Sequence, residues 1–392
     1  MKKIPVSDNY QGLRLLFLGG GVFFPDAIPT QEKFKALSDG FSGDIIAPVI
    51  GSTDVGKIGD YRLTTFTYWK KNSVIRNGYS VISIIILGLM KSWISGRFDA
   101  VISPNPLSTG LAGLLISKLT GAKLIIEVNG NFESTFKFGR EGQSEITWVD
   151  RLKDNLSRAL ISLNLRHADT VKLVYSQQLA ALELEETKIR TIAFPNFVPI
   201  GRFLDSKKSD NKYILLIGFP WFLKGVDILI KAFNSISSEF PGYRLKIVGW
   251  CPKGREYFQE LAKDNPNIDL MDAVEYAQVI ELMTGCTLYV LASRTDSSPR
   301  VLREAMASKK PIIAANIDGV PDLIKDGYNG FLFESESVID LASKMRILLS
   351  DEDLARKMAE NGYKYVQNHL SERVYTDNYK KLIISACNVR DD

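Results

Sequence analysis

Short apolar runs alternate with longer stretches of helical spacing through most of this chain. Residues 13–18, Leu-Arg-Leu-Leu-Phe-Leu, read as a buried strand, and glycines follow at once. Residues 44–50, 100–103 and 123–128 repeat the pattern. Between the last two, residues 109–119 carry apolar side chains at helical spacing. Residues 169–175 and 188–193 continue the series. Such alternation predicts an α/β fold, a parallel sheet with helices on both faces.

The pattern breaks at residues 194–201, Phe-Pro-Asn-Phe-Val-Pro-Ile-Gly, and residues 205–212 are almost wholly polar, as expected of a linker. A second series then begins. Residues 213–217 read as a strand, 226–233 as a helix, and 244–249, 288–292, 311–315 and 330–333 as further strands. The end is helical, over 351–369 and from 371 onward through Tyr375, Tyr379 and Leu382. The expected units are therefore 1–204 and 205–370, with 371–392 a final helix packing back on the first. Two doubly wound sheets facing each other would enclose a cleft, with ligands at the carboxyl ends of the strands.

The longest apolar run, 81–90, is short of the ~20 residues a transmembrane helix needs. Lys70, Lys71, Arg76, Lys91 and Arg97 flank it, with Trp69 and Trp93 nearby. The favoured reading is a buried helix of the first unit; the alternative is a helix lying on a membrane surface. The polar opening 1–10 and the brevity of 13–18 predict no secretory leader.

Length and composition narrow the classes. A chain of 392 residues suits two domains, and 45% hydrophobic with 24% charged residues is an ordinary globular balance. A net charge of +4 is too small to suggest a nucleic-acid partner. Cys251, Cys286 and Cys387 are few and widely spaced, which points away from a disulfide framework or a zinc site and fits a reducing cytosol.

The densest chemical signal is Ser293-Arg-Thr-Asp296-Ser-Ser298-Pro-Arg-Val-Leu-Arg-Glu304-Ala-Met-Ala. Ser298 suits a helix N-cap and Pro299 the first helical position. Free N–H groups and a positive dipole end there would suit an anion such as a diphosphate. Glu304 on that helix can accept two ribose hydroxyls, and Asp296 in the loop can reach a sugar hydroxyl. By itself the segment reads equally well as a capped helix with one solvated acid. Earlier, Gly218 follows a strand and Lys224 precedes a helix, where an ammonium can neutralise phosphate. The acids Asp351, Glu352 and Asp353 sit at a helix start, where acids suit the dipole, so no metal site is read there.

Together these pieces resemble the retaining glycosyltransferases of the GT-B fold, in the large family-four group. The resemblance runs over residues 213–333. Its core is a carboxylate pair at Glu-x7-Glu spacing, here Asp296 and Glu304. Around it stand Glu304-Ala-Met-Ala, Pro311-Ile-Ile, Gly319-Val-Pro-Asp-Leu-Ile and Asp326-Gly-Tyr-Asn-Gly330 in the family's order. The resemblance implies two Rossmann-like domains about a central cleft, and a nucleoside diphosphate sugar as donor. It implies a glycan or lipid-linked acceptor, as in bacterial surface polysaccharide synthesis, with contact to the inner face of the membrane. Glu304 would bind the ribose, Asp296 the donor sugar, and Lys224 the diphosphate. Ser297, Ser298 and Arg300 would face the sugar or diphosphate, and the base would lie near Ala273 and Val274. Gly20 and Gly21, in the glycine loop 19–21, would approach the diphosphate from the first domain. Transfer would be front-face, assisted by the leaving diphosphate, with no cofactor and no metal.

Three positions depart from the family's pattern. Phe219-Pro-Trp-Phe-Leu stands where an arginine usually precedes the lysine, leaving Arg294 or Arg300 to compensate. Asn129 stands where a histidine usually faces the reacting sugar, and His167 and His369 are the chain's histidines, neither at a strand end. Asp296 is shorter than the usual glutamate. These departures keep two competitors in view, a non-catalytic nucleotide-sugar or glycan-binding protein and a nucleotide-sugar epimerase. Residues 19–24 match a dinucleotide fingerprint weakly, since Phe24 stands at the third small position.

Overall fold

The computed structural model describes residues 12–68, 73–133, 147–185, 187, 189–204, 212–251 and 253–387. The expected polar opening 1–10, the flanking Trp69, Lys70 and Lys71, and the 205–211 part of the linker lie outside them. The described residues form two compact units. One holds 12–129, 147–194 and 375–387; the other holds 130–133 and 195–374. The division falls at 194/195 and 374/375, against the expected 204 and 370.

Single turns aside, the first unit runs β1 (Arg14–Leu18), α1 (Ile28–Leu37), β2 (Ser42–Val49), β3 (Lys57–Ile58), β4 (Tyr61–Thr67) and α2 (Ser73–Ile94). It continues with β5 (Ala100–Ser103), α3 (Ser108–Thr120), β6 (Lys123–Val128), α4 (Trp148–Arg166), β7 (Thr170–Leu173) and β8 (Arg190–Ala193). The sheet order is β3-β4-β2-β1-β5-β6-β7-β8, parallel throughout except for the β3–β4 pairing. Order reverses between β1 and β5, so this doubly wound sheet has a switch point where the glycine loop leaves β1. The strands are apolar on both faces, as burial between helical layers requires: Leu15, Leu16, Ile45, Ile46, Val101 and Ile125 are all essentially inaccessible. Thr147 and Asp150 form a reciprocal capping box that starts α4.

The second unit runs β9 (Tyr213–Ile217), α5 (Val226–Ile236), β10 (Arg244–Val248), α6 (Arg255–Ala262), β11 (Ile268–Met271) and α7 (Tyr276–Gly285). Then come β12 (Leu288–Leu291), α8 (Arg300–Ala307), β13 (Ile312–Ala315), β14 (Phe331–Phe333), α9 (Val338–Ser350) and α10 (Glu352–His369). Its sheet order, β11-β10-β9-β12-β13-β14, is entirely parallel. Two apolar clusters lie on its opposite faces, one around Phe233, Leu245 and Met345, the other around Leu215, Met306 and Val366. Asp351 caps α10 by accepting from the Leu354 N–H at 2.9 Å.

A last helix, α11 (Glu372–Cys387), returns to the first unit. Tyr375 and Tyr379 pack edge-on against Phe194. Beneath them Glu127 of β6 and Lys172 of β7 stand opposite each other in register, both buried.

The expected buried helix at 81–90 is corrected. It is part of the longer α2, and only 17% of the stretch Arg76–Ile94 is buried. Ile84 and Ser92 face the core, while Ile82, Ile86, Met90 and Trp93 face outward. Apolar content at 3.6 spacing does not reveal which half of a helix finds a partner.

Candidate functional site

The order of the second sheet reverses between β9 and β12, and the loops leaving these two strands flank the crevice at that switch point. Lys224 is on the first loop and Asp296 on the second. Gly225 fixes their approach. Its φ is +65°, and a Cβ there would lie 1.9 Å from the Ala292 carbonyl oxygen at the end of β12. Only glycine lets the turn rest on that strand end. The Lys224 Nζ consequently sits 2.5 Å from Asp296 Oδ2, with the side chains 20% and 14% exposed. Asp318 holds the second loop: its Oδ2 accepts from the Thr295 hydroxyl at 2.6 Å and from the Asp296 N–H at 2.9 Å.

Glu304 lies almost fully buried on α8. Its Oε1 accepts from the Tyr276 hydroxyl at 2.8 Å and from Arg300 Nε at 2.7 Å. The Arg300 guanidinium lies over the Tyr276 ring, 4.6 Å from its centroid. Burial, and then the Glu304 charge, push the Tyr276 phenol above its usual range, so it stays a donor at neutral pH. The carboxylate is thus oriented through one oxygen, with Oε2 outside both bonds. Val274 precedes Tyr276 in the β11–α7 loop, half-buried against the core, and Ala273 beside it is exposed.

Two local expectations are corrected. α8 starts at Arg300 with Pro299 as its N-cap, not at Pro299 with Ser298 as cap. The Ser298 hydroxyl instead accepts from Arg303 Nη1 at 2.6 Å, which draws it away from the backbone amides. No side chain caps this helix, and Ser297 is buried beside it. Nor does Arg294 stand in for the missing arginine. It is buried, pairs with both Asp227 carboxylate oxygens at 2.9 Å, reaches Glu336 at 2.8 Å, and stacks on Phe222. Arg300 is committed to Glu304. Of the cations considered for the diphosphate, Lys224 is the one placed at the switch point.

In the first unit, Gly20 and Asn129 meet at the Pro104–Asn105 turn after β5. A Cβ on Gly20 would meet Asn105 Nδ2 at 2.8 Å and Pro104 Cγ at 3.1 Å, and Gly21 has φ +67°. Asn129 donates through Nδ2 to the Pro104 carbonyl at 3.1 Å and to Glu127 Oε2 at 3.3 Å. The Asn129 carbonyl oxygen stands outside both bonds. Glu127 is held in turn by Lys33 at 3.4 Å, Lys172 at 3.7 Å and the Tyr379 hydroxyl. Burial opposes its charge, but Lys33, Lys172, Tyr379 and Asn129 prevail and bring its pKa down to about 2.

Among the described residues no group of three His, Cys, Asp or Glu side chains is placed to hold a metal ion. Sequence reading passed over Tyr276, Asp318 and Glu127. Tyr276 is adjacent to the expected base-binding backbone, and that neighbourhood is the only signal it carried.

Residues 202–365 match the family model of the glycosyl transferases group 1. That stretch contains Lys224, Val274, Asp296, Arg300 and Glu304. An uncharacterized glycosyltransferase of Methanocaldococcus jannaschii is 31% identical over 182 residues, 46% of this chain and 50% of that protein. The capsular polysaccharide biosynthesis glycosyltransferase CapM of Staphylococcus aureus is 26% identical over 205 residues, 48% of this chain and 53% of that protein. The chain thus spans about half the length of the curated relatives it matches. A solved structure of Anabaena HepE in complex with UDP superposes with a TM-score of 0.71 at 16% identity, over 95% of this chain and 100% of that one. The fold is GT-B, built of two Rossmann-like parallel sheets.

Proposed function

We propose that the protein is a glycosyltransferase that moves a sugar from a nucleoside diphosphate sugar to a glycan or lipid-linked acceptor, with retention of configuration. The observation that carries this reading is the pairing of Lys224 with Asp296 at the switch point, beside a Glu304 oriented by Tyr276 and Arg300. Glu304 would accept the ribose hydroxyls. Lys224 and the uncapped amides of α8 would hold the diphosphate. Asp296 would position the donor sugar. In the reaction the bond from the anomeric carbon to the diphosphate oxygen breaks and an acceptor oxygen bonds the same carbon on the same face. The acceptor proton passes to the departing diphosphate. The work of the protein is then charge stabilisation and placement, requiring no titrating histidine and no metal.

The similarity to a capsule enzyme supports a surface polysaccharide as the product class. A competing reading is binding without turnover, favoured by the commitment of Arg294 to Asp227, which leaves the diphosphate one cation short. An epimerase is disfavoured because it needs groups that titrate for proton transfer, and Asn129 stands where the family usually has a histidine.

Incubation with a panel of nucleotide-sugars and lipid-linked acceptors, followed by nucleoside diphosphate release and anomeric analysis, tests the proposal. Transfer with retention is expected. Inverted product would remove the retaining mechanism, changed stereochemistry of the unreacted sugar would indicate an epimerase, and binding without turnover would indicate the third class. Glu304→Gln is expected to weaken nucleotide binding by roughly tenfold to a hundredfold through loss of charge-assisted bonds. Unchanged affinity would remove Glu304 from the ribose. Lys224→Ala is expected to fold normally and to lower donor affinity or rate; normal kinetics would return Lys224 to a surface role.

A further inference from the structure

The parallel strands of the second sheet deliver their loops to one carboxyl edge in sheet order: Val274 after β11, Trp250 after β10, Phe219 after β9 and Asp296 after β12. Ile217 and Val248, the last residues of β9 and β10, are partners in register. Each is followed by a glycine and then by a large aromatic residue, Gly218-Phe219 and Gly249-Trp250. Gly249 lets the two loops close on each other. A Cβ there would lie 2.0 Å from the Gly218 carbonyl oxygen and 3.0 Å from Trp221 Nε1. The approach brings Phe219 and Trp250 side by side, with ring centroids 6.3 Å apart and planes at 78°. Trp221, next to Gly249, is fully buried and packs edge-on against Phe258, so this corner of two rings has a packed support.

The corner is open. Phe219 is 60% and Trp250 57% exposed, although β9 and β10 are interior strands whose own residues are largely covered. Aromatic side chains left open at the edge of a switch-point crevice are the usual lining of a ligand site.

Position and charge select the occupant. The Lys224 stem crosses Gly218: its Cγ, Cδ and Cε lie 3.0, 3.1 and 3.1 Å from where a Gly218 Cβ would be. The corner therefore begins one residue from the cation assigned to the diphosphate. On its other side is the β11–α7 loop with Val274. Two interstrand spacings, roughly 10 Å, separate β9 from β11, a length that one nucleoside spans. Neither ring is charged, so a phosphate gains little there. A nucleobase gains more. It is planar, it can stack on the face of one ring, and the other ring, nearly perpendicular, walls it in. Phe219 also stands where an arginine is usual, so attraction lost at the phosphate end is offset at the base.

We propose that Phe219 and Trp250 form a stacking corner for the nucleobase of the donor, and that the base contributes more to affinity than the diphosphate does. This rests on the nucleotide-sugar reading of the site and names residues that would carry its affinity. For the test, the full chain is titrated with UDP, GDP, ADP, dTDP and inorganic pyrophosphate, by calorimetry and by tryptophan fluorescence, alongside Trp250→Leu and Trp250→Phe. Every base has a face to stack, so the outcome does not depend on which base is preferred. The preferred nucleoside diphosphate is expected to quench the wild-type fluorescence and to bind roughly tenfold or more tightly than pyrophosphate. Trp250→Leu is expected to lose the quench and to bind that nucleotide roughly fivefold to a hundredfold more weakly. Its pyrophosphate affinity and circular dichroism should be unchanged, since the side chain is mostly exposed. Trp250→Phe should recover the affinity to within about threefold. Unchanged affinity and quench in Trp250→Leu overturn the stacking corner and leave the nucleotide reading standing; slowed transfer in that variant would then assign the rings to the acceptor. Equal weakening of nucleotide and pyrophosphate also overturns it, making Trp250 a support for Lys224. A wild type that binds none of these ligands removes both readings.

Discussion

Glu127→Gln should cost the protein about 3–5 kcal/mol of stability, the loss typical when a buried ion pair is deprived of one member. Lys172 is wholly inaccessible and lies above the rings of Phe194, Tyr375 and Tyr379, with centroid distances of 4.9, 5.8 and 5.9 Å. Aromatic faces contribute part of a counter-charge, but the one carboxylate opposite it in register is Glu127. Removing that charge leaves an ammonium in a medium of low polarity. Thermal denaturation should show the loss, in the transition of the first unit if the two units melt separately. The wild type should also be acid-sensitive. The carboxyl has a lower pKa folded, about 2, than its ordinary 4.5, so its stabilisation is complete above the ordinary value and fades as the pH falls toward 2. The full span amounts to about 3 kcal/mol. In Glu127→Gln that pH dependence should flatten. A variant with the wild-type melting temperature, or with the same acid slope, would show that other groups carry the network.

Asp296→Asn should separate binding from transfer. With no donor present, Asp296 serves as the anion for Lys224 at 2.5 Å. An incoming diphosphate must share or displace that contact, and it also meets the like charge of the carboxylate. Removing the charge frees the ammonium and removes the repulsion, so nucleoside diphosphate affinity should rise, by about threefold to tenfold for partly exposed charges. On the proposed reading, sugar transfer should fall by roughly 10²–10³ because the donor sugar loses its placement. The stability cost should stay under about 1 kcal/mol, since neither side chain is deeply buried. Titration with the nucleoside diphosphate and a single-turnover rate measure the two quantities. Parallel loss of both would place Asp296 in ground-state binding of the donor.

Both doubly wound sheets were legible because their central strands are unbroken apolar runs bounded by glycine. Residues 100–103, 123–128 and 213–217 appear in the structure with the expected ends. β4, Tyr-Arg-Leu-Thr-Thr-Phe-Thr, was not, since a half-exposed edge region alternates polar and apolar residues without a clear period. β11 is four half-buried residues, too short to stand out. In the candidate site, the positions of Lys224, Asp296 and Glu304 followed from strand ends and helix starts, which are local properties. Their partners did not. Asp318 reaches Asp296 across twenty-two positions and Tyr276 reaches Glu304 across twenty-eight. The commitment of Arg294 to Asp227 spans sixty-seven. Pairings at such separations depend on strand order, which local spacing does not encode. The same holds for α2: its apolar run was visible, and which side of it lacked a partner was not.

The return of α11 to the first unit has a consequence for the order in which the chain assembles. During synthesis β1 to β8 emerge well before Tyr375 and Tyr379, which cover Glu127 and Lys172. Until then the charged pair on β6 and β7 faces water on the side where α11 belongs. The second unit, by contrast, has all its strands and helices once residue 374 has been added. Domains usually complete in the order of their synthesis. Here the later-made half can reach its native state first, and the earlier half waits on α11 as its keystone.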